Sequence, residues 1–167
     1  ILRILPAKGH ITGGRIRFDG RDLLALAAKE MRGLRGGQIA MILQDPATSL
    51  DPTRTIGMQI CETIRLHERI SRKAAAERAE SLLRMAGIDA PRERLRQYPH
   101  QLSGGQRQRA VIAMALCCRP RLLLADEPTT ALDATVQAQI LSLLKTLQKE
   151  TGAAILLVTH DLLAAAR

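Results

Sequence analysis

Three short apolar runs along the chain each predict a buried β-strand. They cover residues 39–43, 122–125 and 155–158. Between the last two runs lies a segment whose apolar residues recur at helical spacing: Val136, Ile140, Leu143, Leu144 and Leu147. Gly152 follows as a stop signal. Strand, amphipathic helix and strand in that order form a βαβ unit, so the sequence predicts a parallel sheet in an α/β fold.

The middle of the chain, residues 53–118, is predicted to be mostly helical. Ser71 is a suitable N-cap for a helix that ends near Gly87. The stretch 91–99 is bounded by prolines and rich in arginine, which favours a loop.

The first twenty residues have two recognisable features. Residues 1–6 are expected to be the end of a helix that Pro6 stops. Residues 14–20 alternate arginine with apolar side chains, as a half-exposed strand does, and Asp19-Gly20 is a turn signal.

Polar side chains follow each of the three predicted strands. Gln44 follows the first, Asp126 and Glu127 follow the second, and His160 follows the third. Ligands of open parallel sheets bind beyond the carboxyl ends of the strands. The sequence therefore predicts a functional site that combines these carboxylate, amide and imidazole groups.

Residues 102–106 read Leu-Ser-Gly-Gly-Gln and precede an apolar helix. Ser103 is a candidate N-cap, and the two glycines allow a ligand to approach the backbone closely. The free N–H groups and positive dipole end of this helix favour an anion.

The distribution of charge limits the classes of partner that the sequence favours. Of the net charge of +9, residues 65–109 carry +6, since they hold 11 Lys and Arg against 5 Asp and Glu. A solvated helical face explains this charge best, although nucleic acid or an anionic membrane also attracts basic segments.

Phe18 and Tyr98 are the only aromatic residues, which argues against base-stacking modules. Cys61, Cys117 and Cys118 are expected to be reduced thiols.

These segments together resemble the ATP-binding subunits of ABC transporters. Residues 102–106 match the LSGGQ signature and residues 122–127 resemble a Walker B strand with its terminal glutamate. Residues 131–133 resemble the D-loop, Gln44 the Q-loop glutamine and His160 the H-loop histidine. The segments 44–52, 98–109 and 125–141 are most similar to the branch that serves peptide and nickel importers.

The resemblance implies a P-loop NTPase-like (RecA-like) parallel sheet with an inserted helical subdomain, and ATP and Mg²⁺ as cofactors. Residues 1–52 would form the first part of the core with the β-subdomain, 53–118 the helical subdomain, and 119–167 the rest of the core. Glu127 would be the general base or would position the attacking water, and His160 would contact the γ-phosphate. Gln44 and Asp126 would bind the metal. The resemblance also implies contacts with the ATP and the surface of an opposite subunit. The residues that would make them are Ser103, Gly104, Gly105, Gln106 and Asp133.

The Walker A pattern GxxxxGK[ST] does not occur in the sequence. By the resemblance, the chain is expected to be incomplete at both termini, and residues 1–167 alone are expected to be inactive as an ATPase. Binding of ATP by this chain should be weak, because that loop supplies backbone N–H groups and a lysine to the phosphates.

The implied partners are a second ATP-binding subunit, identical or different, and transmembrane permease subunits. A solute-binding protein would act indirectly, and nucleic acid is not expected. The protein would lie peripherally on the cytoplasmic face of the membrane.

Two alternative functions stay open. One is a non-transport relative acting on DNA or ribosomes, which the basic segment favours. The other is a catalytically dead fragment, which the missing Walker A favours. The sequence does not identify the transported solute.

Overall fold

The computed structural model describes residues 1–130 and 132–160. Its helices and strands, in chain order, are β1 (Arg17–Phe18), β2 (Arg21–Asp22), α1 (Ala28–Leu34), β3 (Ile39–Ile42), α2 (Pro46–Ser49), α3 (Ile56–His67), α4 (Arg72–Met85), α5 (Pro91–Arg94), a 3₁₀ turn (Pro99–Gln101), α6 (Gly104–Leu116), β4 (Leu122–Asp126), α7 (Ala134–Thr151) and β5 (Ala154–Val158).

A parallel sheet in the order β3-β4-β5 forms the centre of the fold. In its register Ile42 lies opposite Ala125, which lies opposite Leu157. The predicted strands and their parallel direction are confirmed. Because the strands run in register, the loops that leave their carboxyl ends start side by side.

Alternate residues of the strands pack on opposite faces of this sheet. Ala40, Ile42 and Leu123 belong to a buried cluster that includes residues of α3, α4, α6 and α7. Ile39 and Leu124 belong to a second cluster on the other face, with residues of the amino-terminal segment and α1. Both sheet faces therefore contribute to the core, as in other α/β proteins.

Helices α3 to α6 lie in the chain between the neighbouring strands β3 and β4. The Ser71 hydroxyl accepts a hydrogen bond from the Ala74 N–H at 3.1 Å, which confirms the predicted cap. The predicted loop over 91–99 is wrong in part, since its first four residues form the one-turn helix α5. Pro91 occupies the first helical turn, where a proline is tolerated because its missing N–H is not needed.

The predicted helix end at residues 1–6 is wrong. Arg3 has a φ of 55°, outside the right-handed helical region. The Arg35 guanidinium donates two hydrogen bonds to the Leu2 carbonyl, at 2.9 and 2.7 Å. These hydrogen bonds from a distant side chain satisfy the Leu2 carbonyl, which therefore needs no hydrogen bond within a helix.

The predicted strand over 14–20 is shorter than expected, because only Arg17–Phe18 pairs with Arg21–Asp22. The turn at Asp19-Gly20 is confirmed: both residues have positive φ, 51° and 75°. These values are those of the two-residue hairpin turns that match strand twist.

One side of β5 is exposed. Leu156 and Val158 are 47% and 51% exposed. Together with Met41, Leu43 and the amino-terminal segment they line a cavity of about 640 Å³. Within residues 1–130 and 132–160, no helix has both the length and the apolar character needed to cross a bilayer.

Candidate functional site

Three of the predicted site residues meet at the carboxyl end of the sheet. The Gln44 amide donates a hydrogen bond to the Glu127 carboxylate at 2.8 Å. His160 Nδ1 lies 2.8 Å from the other carboxylate oxygen. These residues are 83 and 33 positions from Glu127 in the chain. Their convergence follows from the parallel strands, as the sequence predicted.

The backbone at Glu127 is unusual. Its φ is 45°, in the left-handed region that side-chain-bearing residues seldom adopt. The Glu127 N–H donates to the Val158 carbonyl at 2.9 Å, which extends the β4–β5 pairing by one bond. Strained backbone of this kind clusters at functional sites, where the surrounding structure holds it in place.

The Thr130 hydroxyl also donates to the Glu127 carboxylate, at 2.9 Å. Thr130 is not among the residues that the sequence predicted for the site. A hydroxyl three residues after the glutamate was the available signal, but such hydroxyls are common in loops that follow a strand. Glu127 therefore receives hydrogen bonds from an amide, a hydroxyl and an imidazole.

These contacts set the charge of Glu127. The hydrogen bond with His160 lowers the pKa of the carboxyl, and the bond from Thr130 lowers it further. Burial opposes the shift but does not outweigh it. The group is therefore ionised at neutral pH, and an ionised carboxylate can accept a proton from water or orient it.

Asp126 ends β4 and lines the cavity beside Leu124 and Ala125. Together with Gln44 it offers carboxylate and amide oxygens, the donors that Mg²⁺ prefers. In the described part of the chain no three His, Cys, Asp or Glu side chains are grouped to hold a metal. This donor set fits Mg²⁺, which is held by one or two carboxylates together with substrate phosphates and water.

The predicted signature segment forms the start of α6. The Ser103 hydroxyl accepts from the Gln106 N–H at 3.3 Å, and the Gln106 side chain accepts from the Ser103 N–H at 3.1 Å. This reciprocal pair is a capping box, and it confirms Ser103 as the N-cap. The Gln106 side chain is thus held against the backbone of the turn.

The two glycines of this segment pack against the start of α7. A methyl group placed on Gly105 would lie 3.0 Å from Val136 Cγ1, and one on Gly104 would lie 3.6 Å from Leu132 Cδ2. A side chain at Gly105 would therefore require Val136 to shift by a few tenths of an ångström. The close packing joins the signature segment to the segment that follows Glu127.

Asp133 caps α7, since its carboxylate accepts from the Val136 N–H at 2.9 Å. Apart from Asp126, the residues predicted from the sequence thus fall into two groups. Gln44, Glu127 and His160 share hydrogen bonds, whereas the signature residues lie with Asp133 at the α6–α7 contact. Ala131, the first residue of the predicted D-loop, lies outside the described residues.

Several proteins of similar sequence are named as transport ATP-binding proteins. The chain is 55% identical over 157 residues to the dipeptide transport ATP-binding protein DppD of Bacillus subtilis (strain 168), covering 94% of this chain and 47% of that protein. It is 53% identical over 163 residues to the oligopeptide transport ATP-binding protein OppD of the same organism, covering 97% and 46%. The chain spans about half the length of these curated relatives.

Solved structures agree with this likeness. A dimeric post-hydrolysis state of the ATP-binding cassette MJ0796, bound to ADP and Pi, superposes with a TM-score of 0.80 at 33% identity. The match covers 92% of this chain and 66% of that one. It confirms the predicted P-loop NTPase-like α/β fold. The profile described as ABC transporter matches residues 1–130, so the chain belongs to the ABC transporter family.

Proposed function

We propose that the protein is the ATP-binding and ATP-hydrolysing subunit of an ABC importer for peptides. The observation that carries this proposal is the Glu127 carboxylate, which is held ionised by groups from three strand ends. The names of the relatives, dipeptide and oligopeptide transport ATP-binding proteins, favour peptides as the solute class.

In this proposal Glu127 orients the attacking water and accepts its proton. His160 and Thr130 hold the carboxylate in one orientation, which the two short hydrogen bonds support. With 74% of its side chain exposed, His160 also has room to contact a γ-phosphate. Asp126 and Gln44 would hold Mg²⁺, which supplies charge neutralisation to the phosphates.

We infer a second role, in trans, for the start of α6. The N-terminal N–H groups of that helix favour an anion, and Gly104 and Gly105 are partly exposed. Ser103, Gly104, Gly105 and Gln106 would therefore bind the γ-phosphate of ATP held by an opposite subunit, and Asp133 would contact that subunit. The similar MJ0796 cassette is a dimer in its post-hydrolysis state, which supports this arrangement.

Substitution of Glu127 tests the hydrolytic role. In the protein carrying an intact phosphate-binding loop, Glu127→Gln should lower ATP turnover by about 10²–10⁴-fold, because a neutral amide cannot accept the proton. ATP binding should persist and a stable dimer should accumulate in gel filtration. Glu150→Gln, at the far end of α7, is the control and should keep wild-type turnover. Wild-type turnover in Glu127→Gln would refute the role.

We propose that residues 45–60, which follow Gln44, dock on a transmembrane permease subunit at the cytoplasmic face of the membrane. A solute-binding protein would deliver the peptide to that permease. Met58 is 54% exposed, so an apolar side chain is available for contact. The basic surface of 65–109 suits anionic headgroups, whereas ion pairs such as Arg78–Glu68 interrupt it as a groove for nucleic acid.

Cysteine crosslinking tests the docking surface, after replacement of the native cysteines. Cysteines at Thr53 or Met58 should crosslink to a permease subunit in membranes, with a yield that changes on addition of ATP. A cysteine at Lys145, an exposed position on α7, is the control and should not crosslink. Tight DNA binding that weakens steeply with salt, with no permease crosslink, would refute the importer and favour a relative that acts on DNA.

A further inference from the structure

Two adjacent cysteines at the end of α6 lie with their thiols in contact. Cys117 Sγ and Cys118 Sγ are 3.6 Å apart. Cys117 is completely buried, whereas Cys118 is partly exposed. Cys118 is therefore the more accessible residue of the pair, and Cys117 is shielded from solvent.

The contact with Cys117 favours ionisation of the Cys118 thiol, whereas burial opposes it. The two thiols are in hydrogen-bond contact, and this contact lowers the pKa of Cys118 and raises that of Cys117. The Glu68 carboxylate opposes the thiolate, and the Arg78 guanidinium, which pairs with Glu68 at 2.6 Å, offsets part of that effect. The thiolate is the reactive form of cysteine.

Cys61 provides a comparison within the same helical segment. It is also partly exposed and burial raises the pKa of its thiol, but no neighbouring cysteine opposes that effect. The chain thus holds a paired thiol and an isolated thiol of similar exposure. A difference in reactivity between these two thiols therefore measures the effect of the pairing.

We propose that Cys117 and Cys118 form a site of reversible oxidation by hydroperoxides, in which Cys118 reacts first and Cys117 closes a disulfide with it. This site is separate from the nucleotide site of the proposed function. It lies at the carboxyl end of α6, and the signature segment lies at the amino end.

The reaction balances in two steps. The Cys118 thiolate attacks one peroxide oxygen, the O–O bond breaks, and the departing oxyanion takes up a proton, which gives Cys118 sulfenic acid and water or an alcohol. The Cys117 sulfur then attacks the Cys118 sulfur, the S–O bond breaks, and the leaving hydroxide combines with the Cys117 proton as water. The peroxide is reduced, and two thiols are oxidised to one disulfide.

Closure requires the sulfurs to approach from 3.6 Å to a bond length of about 2.05 Å. A disulfide between neighbouring residues departs from unstrained geometry, so it is easily reduced. Such labile disulfides in reducing compartments are typically transient and redox-sensing. Dithiothreitol should therefore restore both thiols.

Mass spectrometry of the 167-residue chain treated with hydrogen peroxide tests the proposal. Trypsin releases residues 110–121 as one peptide that contains both cysteines and not Cys61. After alkylation of free thiols, this peptide should be found unalkylated and lighter by two hydrogens, and dithiothreitol should reverse the change. Cys61 should remain alkylated. A peptide 110–121 that stays fully alkylated while Cys61 is oxidised would overturn the proposal.

Single substitutions separate the roles of the two thiols. Cys117→Ser should leave a sulfenic acid on Cys118 that dimedone traps, because no thiol remains to resolve it. Cys118→Ser should make Cys117 unreactive, since Cys117 is buried. Circular dichroism before treatment establishes that each variant is folded. Dimedone labelling of Cys117 in folded Cys118→Ser, or none of Cys118 in folded Cys117→Ser, would contradict the assigned order of reaction.

Discussion

Two buried glutamines of the helical segment differ in their hydrogen bonding. The Gln59 side chain accepts from the Asp51 N–H and donates to the carbonyls of Asp51 and Arg54, at 2.9 to 3.0 Å. Gln108 is 1% exposed, and neither its amide oxygen nor its amide nitrogen has a partner among the described residues. An unpaired buried polar group costs about 1–3 kcal/mol.

Replacement of each glutamine by methionine tests this difference. Gln108→Met should raise the free energy of unfolding by about 1–3 kcal/mol, because the unpaired amide is removed with little change in volume. Gln59→Met, the matched control, should lower it by a similar amount, because it leaves the Asp51 N–H without its acceptor. Urea unfolding measures both. A loss of stability in Gln108→Met as large as in Gln59→Met would show that the Gln108 amide is satisfied in solution.

At the scale of elements, α4 and α6 both begin with a serine N-cap but lie in different parts of the helical segment. Ser71 and Ser103 both cap their helices through the side-chain oxygen. The cap of α6 coincides with the signature segment, whereas the cap of α4 lies elsewhere on the helical segment. The two serine hydroxyls therefore form a matched pair, since each accepts one backbone N–H bond and only Ser103 has a proposed role in ATP binding.

Ser103→Ala and Ser71→Ala should each lower the free energy of unfolding by about 0.5–2 kcal/mol, the usual value of an N-cap. Only Ser103→Ala should also reduce ATP turnover in the protein carrying a phosphate-binding loop, because its hydroxyl is proposed to reach the opposite subunit's ATP. Thermal unfolding and phosphate release measure the two effects. Equal losses of turnover in both variants would argue that Ser103 acts through helix stability alone.

The elements that the sequence predicted best have strong local signals. Apolar runs located β3, β4 and β5 within one residue at each end, and Gly152 with a φ of 70° ends α7 as expected. Helix α1 was not predicted, because Ala27 at its N-cap offers no capping oxygen and Glu30 instead accepts from the Ala27 N–H. Short helices held by such single contacts leave little pattern in the sequence.

At the scale of the whole molecule, topology accounts for the part of the site that could be predicted. Parallel strands had to bring Gln44, Glu127 and His160 to one edge, so their convergence followed from the strand assignments. The φ of Glu127 and the contact of Gly105 with Val136 depend on how loops and helices pack in three dimensions. No local pattern encodes these features, and they were found only in the structure.

The exposed side of β5 has a consequence for how this chain behaves in concentrated solution. Apolar side chains exposed together on a sheet face favour association between molecules. We expect the 167-residue chain to aggregate with rising concentration, and Leu156→Thr with Val158→Thr to suppress this while strand propensity is kept. Leu66→Ser removes a 76% exposed side chain from α3 and should change little. Light scattering over a concentration series measures the effect. Equal suppression by Leu66→Ser would mean that general surface hydrophobicity, rather than the apolar face of β5, controls colloidal stability.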